Sequence, residues 1–114
     1  MATLTDYRGI IERILTEYAG IAYANRDAAI EKQTVFDREK DHYLLVSLGW
    51  EKGHRRIYHC IFHVDIIDGK IWIQCDNTNK PIARELLAAG VPRDHIVLGF
   101  HPPELRRDTE YAVA

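Results

Sequence analysis

The chain has 114 residues, of which 46% are hydrophobic, and its formal net charge is −2. A chain of this length builds one hydrophobic core, so we expect a single domain over residues 1–114. The slightly negative charge argues against bulk attraction to nucleic acid or to an anionic membrane. No apolar stretch is close to the length of about 20 residues that a membrane-spanning helix needs. We expect a soluble, cytoplasmic protein whose two cysteines, Cys60 and Cys75, stay reduced.

An amphipathic helix is predicted at the N-terminus. Thr3 and Thr5 are candidate N-caps, and Gly20 is a natural end because glycine is common after the last helical turn. Between these limits apolar residues recur at the spacing of a helix face, with charged residues between them. The apolar positions are Tyr7, Ile10, Ile11, Ile14, Leu15 and Tyr18. We interpret this helix as one that packs on the core, followed by a connector over residues 21–32.

The strongest strand signal is a β-hairpin over residues 55–76, closed on Asp68 and Gly69. An Asp-Gly pair between β-branched runs favours a two-residue turn, because both turn residues must accept positive φ. Counting outward from the turn predicts which residues face each other. The predicted pairs are Ile66 with Ile71, Val64 with Ile73 and Phe62 with Cys75 on an apolar face, and Asp65 with Trp72 and His63 with Gln74 on a mixed face.

Two further strands are predicted between the helix and the hairpin, over residues 33–37 and 43–50. A three-residue bulged loop after the second of them would place Trp50 opposite His54. A four-residue loop would reverse the faces of this strand, and we favour the bulged loop because it keeps the apolar face continuous. In that register the apolar face takes Leu44 and Val46, and the mixed face takes Tyr43 and Leu45.

The C-terminal third is predicted to hold a short helix, a brief strand and a docked tail. Residues 77–79 offer cap chemistry, Pro81 suits a first helical turn, and the apolar stripe runs up to Gly90. Residues 96–100 are interpreted as a brief strand or buried segment, and the apolar end of the tail favours docking. The fold class is therefore α+β, with an antiparallel β-meander of about four to five strands packed against the N-terminal helix and a second short helix.

Residues that could carry chemistry are few. His59, His63 and Asp65 share the mixed face of one strand, where alternate residues are neighbours, so they form a candidate metal site. The predicted register places both cysteines on the opposite face, which leaves that site short of ligands. Exposed or hydrogen-bonded histidines are therefore the favoured interpretation. Because the sequence also lacks the common catalytic motifs, we predict no enzyme activity, no cofactor and no bound metal.

The mixed face of the sheet is more informative than the histidines. Apolar and aromatic side chains on a second sheet face mark either another internal layer or an interface, since the helices already cover the first face. The tail is expected to cover part of this face, and the remainder is the candidate partner-binding surface. Its predicted residues are Tyr43, Leu45, Ile57, His59, Ile61, His63 and Trp72.

Four segments that together cover nearly the whole chain carry a family resemblance. They read YRGIIERILTEYA, DREKDHYLLVSLGW, DIIDGKIWIQ and GVPRDHIVLGFHPPELRRDTEYAVA. Together they resemble the XisI family, the fdxN element excision controlling factors of cyanobacteria. The resemblance implies a small α+β protein that acts in controlling the site-specific excision of a DNA element during heterocyst differentiation. It also implies a companion, an endonuclease-like XisH protein encoded beside it, while a separate recombinase exchanges strands. It implies no catalytic residues.

The residues and the resemblance leave three functional hypotheses. The first is a non-catalytic accessory factor that binds an XisH-like companion through the mixed face, with DNA contact indirect or weak and with self-association left open. The second is a DNA-binding dimer that merges the basic pairs at residues 55–56 and 106–107, although acidic neighbours favour a solvated surface for both pairs. The third is a small enzyme or metal-binding protein that uses His59, His63 and Asp65.

Overall fold

The computed structural model describes residues 4–21, 29–51, 54–78 and 80–114. The elements follow the chain as α1 (Leu4–Ala19), β1 (Ala29–Asp37), β2 (His42–Glu51), β3 (Arg55–Ile67), β4 (Lys70–Asp76), α2 (Ile82–Ala88), β5 (Ile96–Leu98) and α3 (Pro103–Arg106). The five strands form one sheet in the order β1-β2-β3-β4-β5. The predicted α+β class is confirmed.

The sheet is mixed, although most of it is antiparallel. Strands β1 to β4 form the predicted antiparallel meander. Strand β5 instead pairs with β4 in parallel, with Ile71 beside Ile96 and Ile73 beside Leu98. A parallel neighbour needs a crossover connection, and α2 supplies it between β4 and β5.

Helix α1 forms as its apolar spacing predicts. It ends at Ala19, and the amide of Gly20 donates to the carbonyls of Thr16 and Glu17. Of the two proposed caps, Thr5 lies inside the helix and Thr3 falls outside the described residues. The apolar stripe packs on the sheet as expected: Tyr7, Ile11, Ile14 and Leu15 are buried, and Ile10 and Tyr18 pack against the same core.

The two faces of the sheet differ in what covers them. We call the face under α1 and α2 the inner face and the opposite one the outer face. The core lies between the inner face and the two helices, because residues from all of these elements belong to one buried cluster. Its sheet residues are Tyr43, Leu45, Phe62, Val64, Ile66, Ile71, Ile73 and Ile96, and its α2 residues are Ile82, Ala83 and Leu86.

The hairpin between β3 and β4 closes at the predicted turn. Asp68 and Gly69 both have positive φ, 50° and 79°. The predicted register holds from the turn as far as the pair Val64–Ile73, and a β-bulge then shifts it by one residue. The predicted pairs beyond that point are wrong: His63 lies opposite Cys75 instead of Gln74, and Phe62 lies opposite Asp76 instead of Cys75.

The predicted register between β2 and β3 is wrong for two reasons: the strands pair as far as Glu51 and Arg55, and a second β-bulge interrupts them. Trp50 lies opposite Arg56, not His54, because the next pair along the ladder is Glu51 with Arg55. Farther along, Val46 pairs with Cys60 but Leu45 pairs with Phe62, which leaves Ile61 as the extra residue. One extra residue reverses the faces of everything beyond it. Tyr43 and Leu45 therefore belong to the inner face.

A C-terminal segment, residues 99–114, lies against the outer face beside β4 and β5. Val97 is fully buried although it is absent from the core under α1, and it forms a parallel bridge with Ala112. The Arg106 guanidinium stacks 4.9 Å from the centre of the Trp72 ring. The prediction of a docked tail is confirmed. Among the residues that the structure describes, no helix is long and apolar enough to cross a membrane.

Strand β1 begins at Ala29, earlier than predicted, and approaches Gly49 of β2 closely. Replacing Gly49 with alanine is expected to lower the free energy of unfolding by about 1–3 kcal/mol, because the new methyl group overlaps the β1 backbone. A Cβ atom at this position would lie 2.0 Å from the Ala29 carbonyl oxygen and 2.8 Å from the Ile30 Cα. Urea denaturation monitored by circular dichroism measures the change.

Gly9→Ala is the matched control for this substitution. Gly9 is exposed on α1, and a Cβ atom there meets nothing within 4 Å. Alanine is favoured over glycine inside a helix by about 0.5–1 kcal/mol, so this variant is expected to be more stable than the wild type. Effects of the same sign at the two positions would contradict the close approach of β1 to Gly49.

Candidate functional site

An exposed apolar patch lies on the outer face of β1, β2 and β3. Tyr58 is 67% exposed, Trp50 51% and Val35 49%, and the side chains between them are half-buried. The strand register makes them neighbours, since Val35 pairs with Leu44 and Leu48 pairs with Tyr58. We call this set the open patch, and its members are Val35, Leu44, Val46, Leu48, Trp50 and Tyr58.

Polar groups border the open patch. Glu31 pairs with Leu48 and Gln33 pairs with Val46 along β1, the edge strand. At the far end the Arg56 guanidinium lies 5.0 Å from the centre of the Trp50 ring. A shallow depression of about 440 Å³ adjoins this stack. An apolar centre with a polar border is the usual composition of a protein-binding surface.

Most of the residues predicted for the partner surface do not lie on the outer face. Tyr43 and Leu45 are fully buried in the core, Ile57 is buried, and Ile61 packs against the core. His59 is exposed, but its pairing with Ser47 places it on the inner face of the sheet. Of the remaining two, His63 lies on the outer face, and Trp72 is half-buried under Arg106 of the C-terminal segment.

The open patch could have been found in the sequence. Leu44, Val46, Leu48 and Trp50 alternate along β2, which is the pattern of one strand face. The interpretation failed because hydrophobicity favours the wrong set of YLLVSLGW: these four residues are all apolar, whereas the set that is buried includes Ser47 as well as Tyr43 and Leu45. The extra residue in β3, Ile61, decides which set of β2 side chains faces the core.

A second feature of the outer face is a cluster around the buried carboxylate of Asp65. His42 Nδ1 lies 2.7 Å from Asp65 Oδ1, and His63 Nε2 lies 2.9 Å from the same oxygen. The Gln74 amide donates to Asp65 Oδ2 at 3.3 Å. The predicted trio of His59, His63 and Asp65 is therefore corrected in one member, because the bulge at Ile61 turns His59 away and His42 takes its place opposite Asp65.

The cysteines lie near this cluster and not in the core. Cys60 pairs with Val46 and Cys75 with His63, and both cysteines are half-buried, so their predicted placement on the apolar face is wrong. Burial, with Cys75 nearby, raises the pKa of the Cys60 thiol to about 11. This thiol is protonated at neutral pH and is a poor nucleophile, because the thiolate is the reactive form.

The two arginine pairs do not form one basic surface within the chain. Arg56 stacks on Trp50, and Arg55 makes an ion pair with Glu51 at 3.6 Å. Arg106 stacks on Trp72 and donates to the carbonyl of His101, while Arg107 donates to the carbonyl of Glu104. Each pair is therefore engaged with its own surroundings.

A charged contact joins α1 to the residue just before β2, close to the buried side chain of Tyr43. Arg8 Nε and Nη2 donate to the two Asp41 oxygens at 2.7 Å and 3.0 Å, and the Tyr43 hydroxyl donates to Asp41 Oδ1 at 2.9 Å. The hydrogen bond from Arg8 is the main reason that the Asp41 pKa lies below its usual 3.8. Burial raises the pKa of the Tyr43 phenol, so this hydroxyl stays protonated and acts as the donor.

This lowered pKa predicts a pH-dependent stability. A carboxyl group with a lower pKa in the folded state stabilises the fold above its ordinary pKa of 3.8, and the contribution is lost as the pH falls through the lowered value. Asp41→Asn is expected to be less stable than the wild type near neutral pH, and the difference should shrink in acid below 3.8. Asparagine also tolerates the positive φ of 59° at this position. Urea denaturation across this range measures the difference, and a difference that does not change with pH would contradict the assignment.

Comparison with known proteins gives a consistent result. The family model described as XisI protein matches residues 1–113. The crystal structure of a XisI-like protein from Anabaena variabilis ATCC 29413 superposes with a TM-score of 0.87 at 42% sequence identity, covering 97% of this chain and 99% of that one. The fdxN element excision controlling factor XisI from the same organism superposes with a TM-score of 0.82 at 40% identity, covering 97% and 98%. A search of curated proteins finds no significant match. The family match over the chain and these two structures agree, and the chain belongs to the XisI family.

Proposed function

We propose that the protein is a non-catalytic accessory factor that controls excision of a DNA element by binding an XisH-like companion protein through the open patch. The excision role rests on family membership, since a relative at 40% identity over 97% of the chain is an fdxN element excision controlling factor. The choice of surface rests on the geometry of the outer face.

The observation that carries the proposal is the exposure of Trp50 and Tyr58 within one continuous apolar patch. Two aromatic side chains at 51% and 67% exposure leave apolar area in contact with water. Covering that area with another protein would release the water, at roughly 25 cal/mol for each Å² buried. Clustered apolar residues with a polar border are typical of protein interaction sites, whereas isolated exposed apolar residues are not.

The charge distribution favours a protein over DNA as the direct partner. DNA binding depends on cationic side chains that displace counterions from phosphates. The net charge here is −2, and the arginines of both basic pairs already stack on rings or contact acidic and carbonyl groups. The open patch itself contains no cationic side chain that could neutralise a phosphate. DNA would therefore be reached through the companion.

The proposal is tested by mixing the purified protein with the purified XisH-like companion and measuring the mass of the product by light scattering during size exclusion. A complex of defined stoichiometry is expected, and it should survive a rise in salt concentration because its contact is apolar. Two separate species at all concentrations would contradict the proposal.

Two control measurements separate the alternatives. The protein alone is run over a range of concentrations, where a mass that rises to that of a dimer would show that the protein binds a second copy of itself. The protein alone is also titrated with duplex DNA at low salt, and no binding is expected. Strong, salt-dependent binding there would favour direct DNA recognition instead.

A further inference from the structure

Three donor atoms on the outer face converge on one point. The ligand atoms of His42, His63 and Asp65 all lie within 4.8 Å of one another. His42 stands opposite Asp65 across the β2–β3 ladder, and His63 precedes Asp65 by two residues on the same face of β3. The three side chains thus come from two paired strands, whose backbone bonds hold them in place.

The carboxylate of this cluster is buried and already oriented. Asp65 is one of the two buried polar residues among those that the structure describes. Its Oδ1 contacts both imidazoles, and its Oδ2 accepts a hydrogen bond from Gln74, the residue beside the β3–β4 bulge. An outer hydrogen bond of this kind orients a ligating carboxylate in metal sites.

The chemical character of the donors selects the type of ion. Two imidazole nitrogens and one carboxylate oxygen suit zinc and neighbouring divalent transition metals, whereas magnesium and calcium prefer oxygen ligands alone. Three protein ligands leave a coordination position for water, which is the composition of open zinc sites.

Two of the three ligand separations require only a small adjustment, and the two histidine nitrogens, which lie within 4.8 Å of each other, would approach each other on binding. With bonds of about 2.0–2.1 Å, neighbouring ligands around a tetrahedral ion are about 3.3 Å apart. The nitrogen–oxygen separations are 2.7 Å and 2.9 Å, which are hydrogen-bond lengths. The His42 and His63 side chains are 49% and 35% exposed, so a rotation that opens these separations by about half an ångström meets little packing.

We propose that His42, His63 and Asp65 bind one divalent transition-metal ion of the zinc type, with an open coordination position on the outer face. On binding, the ion replaces the hydrogen-bonding protons between the two imidazole nitrogens and Asp65 Oδ1. The site lies beside the open patch but does not depend on the identity of any protein partner. The competing explanation is a cluster whose hydrogen bonds only satisfy a buried carboxylate.

The test is a titration of metal-free full-length protein with Zn²⁺ alone, in competition with a chromophoric chelator. One ion per chain is expected. Asp65→Asn and His63→Gln are each expected to weaken Zn²⁺ binding by at least about 100-fold. Losing a hydrogen-bond partner of a ligand already weakens metal binding by up to about 100-fold, and losing the ligand itself should weaken it at least as much. A wild-type protein that does not compete with the chelator would overturn the proposal.

His59→Gln is the matched control, because His59 belongs to the same strand and is exposed but pairs with Ser47, outside the cluster. Its Zn²⁺ affinity should equal that of the wild type, and an equal loss in this variant would also overturn the proposal. Circular dichroism shows which variants are folded. If Asp65→Asn does not fold, His42→Gln replaces it, since His42 is half-exposed. Zn²⁺ should raise the melting temperature of the wild type and of His59→Gln, but not that of His63→Gln.

Discussion

Replacing Trp50 with glutamate is expected to weaken the complex with the XisH-like companion by about 30-fold or more. Trp50 is half-exposed at the end of the open patch, and tryptophan is among the residues that dominate the energy of protein interfaces. Losing such a side chain costs about 2 kcal/mol or more of binding free energy, and the new carboxylate would be desolvated at the contact. Isothermal titration calorimetry measures the change in Kd.

Leu105→Glu is the control for this experiment. Leu105 is also about half-exposed, but it lies on α3 in the C-terminal segment, away from the open patch. This variant introduces the same charge and should leave the Kd unchanged. If both variants weakened binding equally, or if Trp50→Glu had no effect, the open patch would not be the contact surface.

Phe62→Ala is expected to lower the free energy of unfolding by about 3–5 kcal/mol. Phe62 is fully buried on the inner face, and its ring packs edge-on against Tyr18 of α1 with ring centres 4.9 Å apart. Its removal leaves a cavity between the sheet and the helix, which the surrounding backbone fills only in part. Urea denaturation of the purified variant measures the loss.

Tyr58→Ala provides the comparison, because it removes an aromatic ring from the same strand on the exposed side. Tyr58 is largely exposed, so the free energy of unfolding should change by no more than about 0.5 kcal/mol. Companion binding, in contrast, should weaken. A large loss of stability in this variant would mean that the open patch is part of a packed layer and not a free surface.

Local signals in the sequence predicted the elements of this fold well. The apolar spacing of α1, the Asp68-Gly69 turn and the alternation of the β3–β4 hairpin each arise from residues close in the chain, and each is present in the structure. The parallel pairing of β5 was not predicted. It depends on where α2 returns the chain, and three strand residues carry too little pattern to reveal that position.

The two β-bulges explain why the candidate site was only partly predicted. A β-bulge shifts the register between two strands by one residue. Because both faces of β2 carry apolar residues, the hydrophobic pattern did not distinguish the shifted register from the regular one. The extra residue at Ile61 placed Tyr43 and Leu45 in the core and brought His42, not His59, to Asp65. The shift after Val64 placed Gln74 where its amide reaches the same carboxylate. His63 and Asp65 of the predicted trio do lie together, but His42 joins them only through the pairing of β2 with β3, which the local sequence does not reveal.

Family membership supports the role of the protein, and the geometry supports the surface through which it would act. The XisI family match supports a role in controlling DNA excision. The geometry adds a surface, the open patch, and a cluster of metal-ligand type beside it on the same outer face. A companion bound to the patch would lie next to that cluster.

Hydroxyl-radical footprinting of the whole complex shows whether the companion covers the open patch. Trp50 and Tyr58 should be labelled readily in the free protein and strongly protected in the complex. Phe100, which is 48% exposed in the C-terminal segment, should be labelled equally in both states. Unchanged labelling of Trp50 and Tyr58 in a fully formed complex would mean that the companion binds another surface.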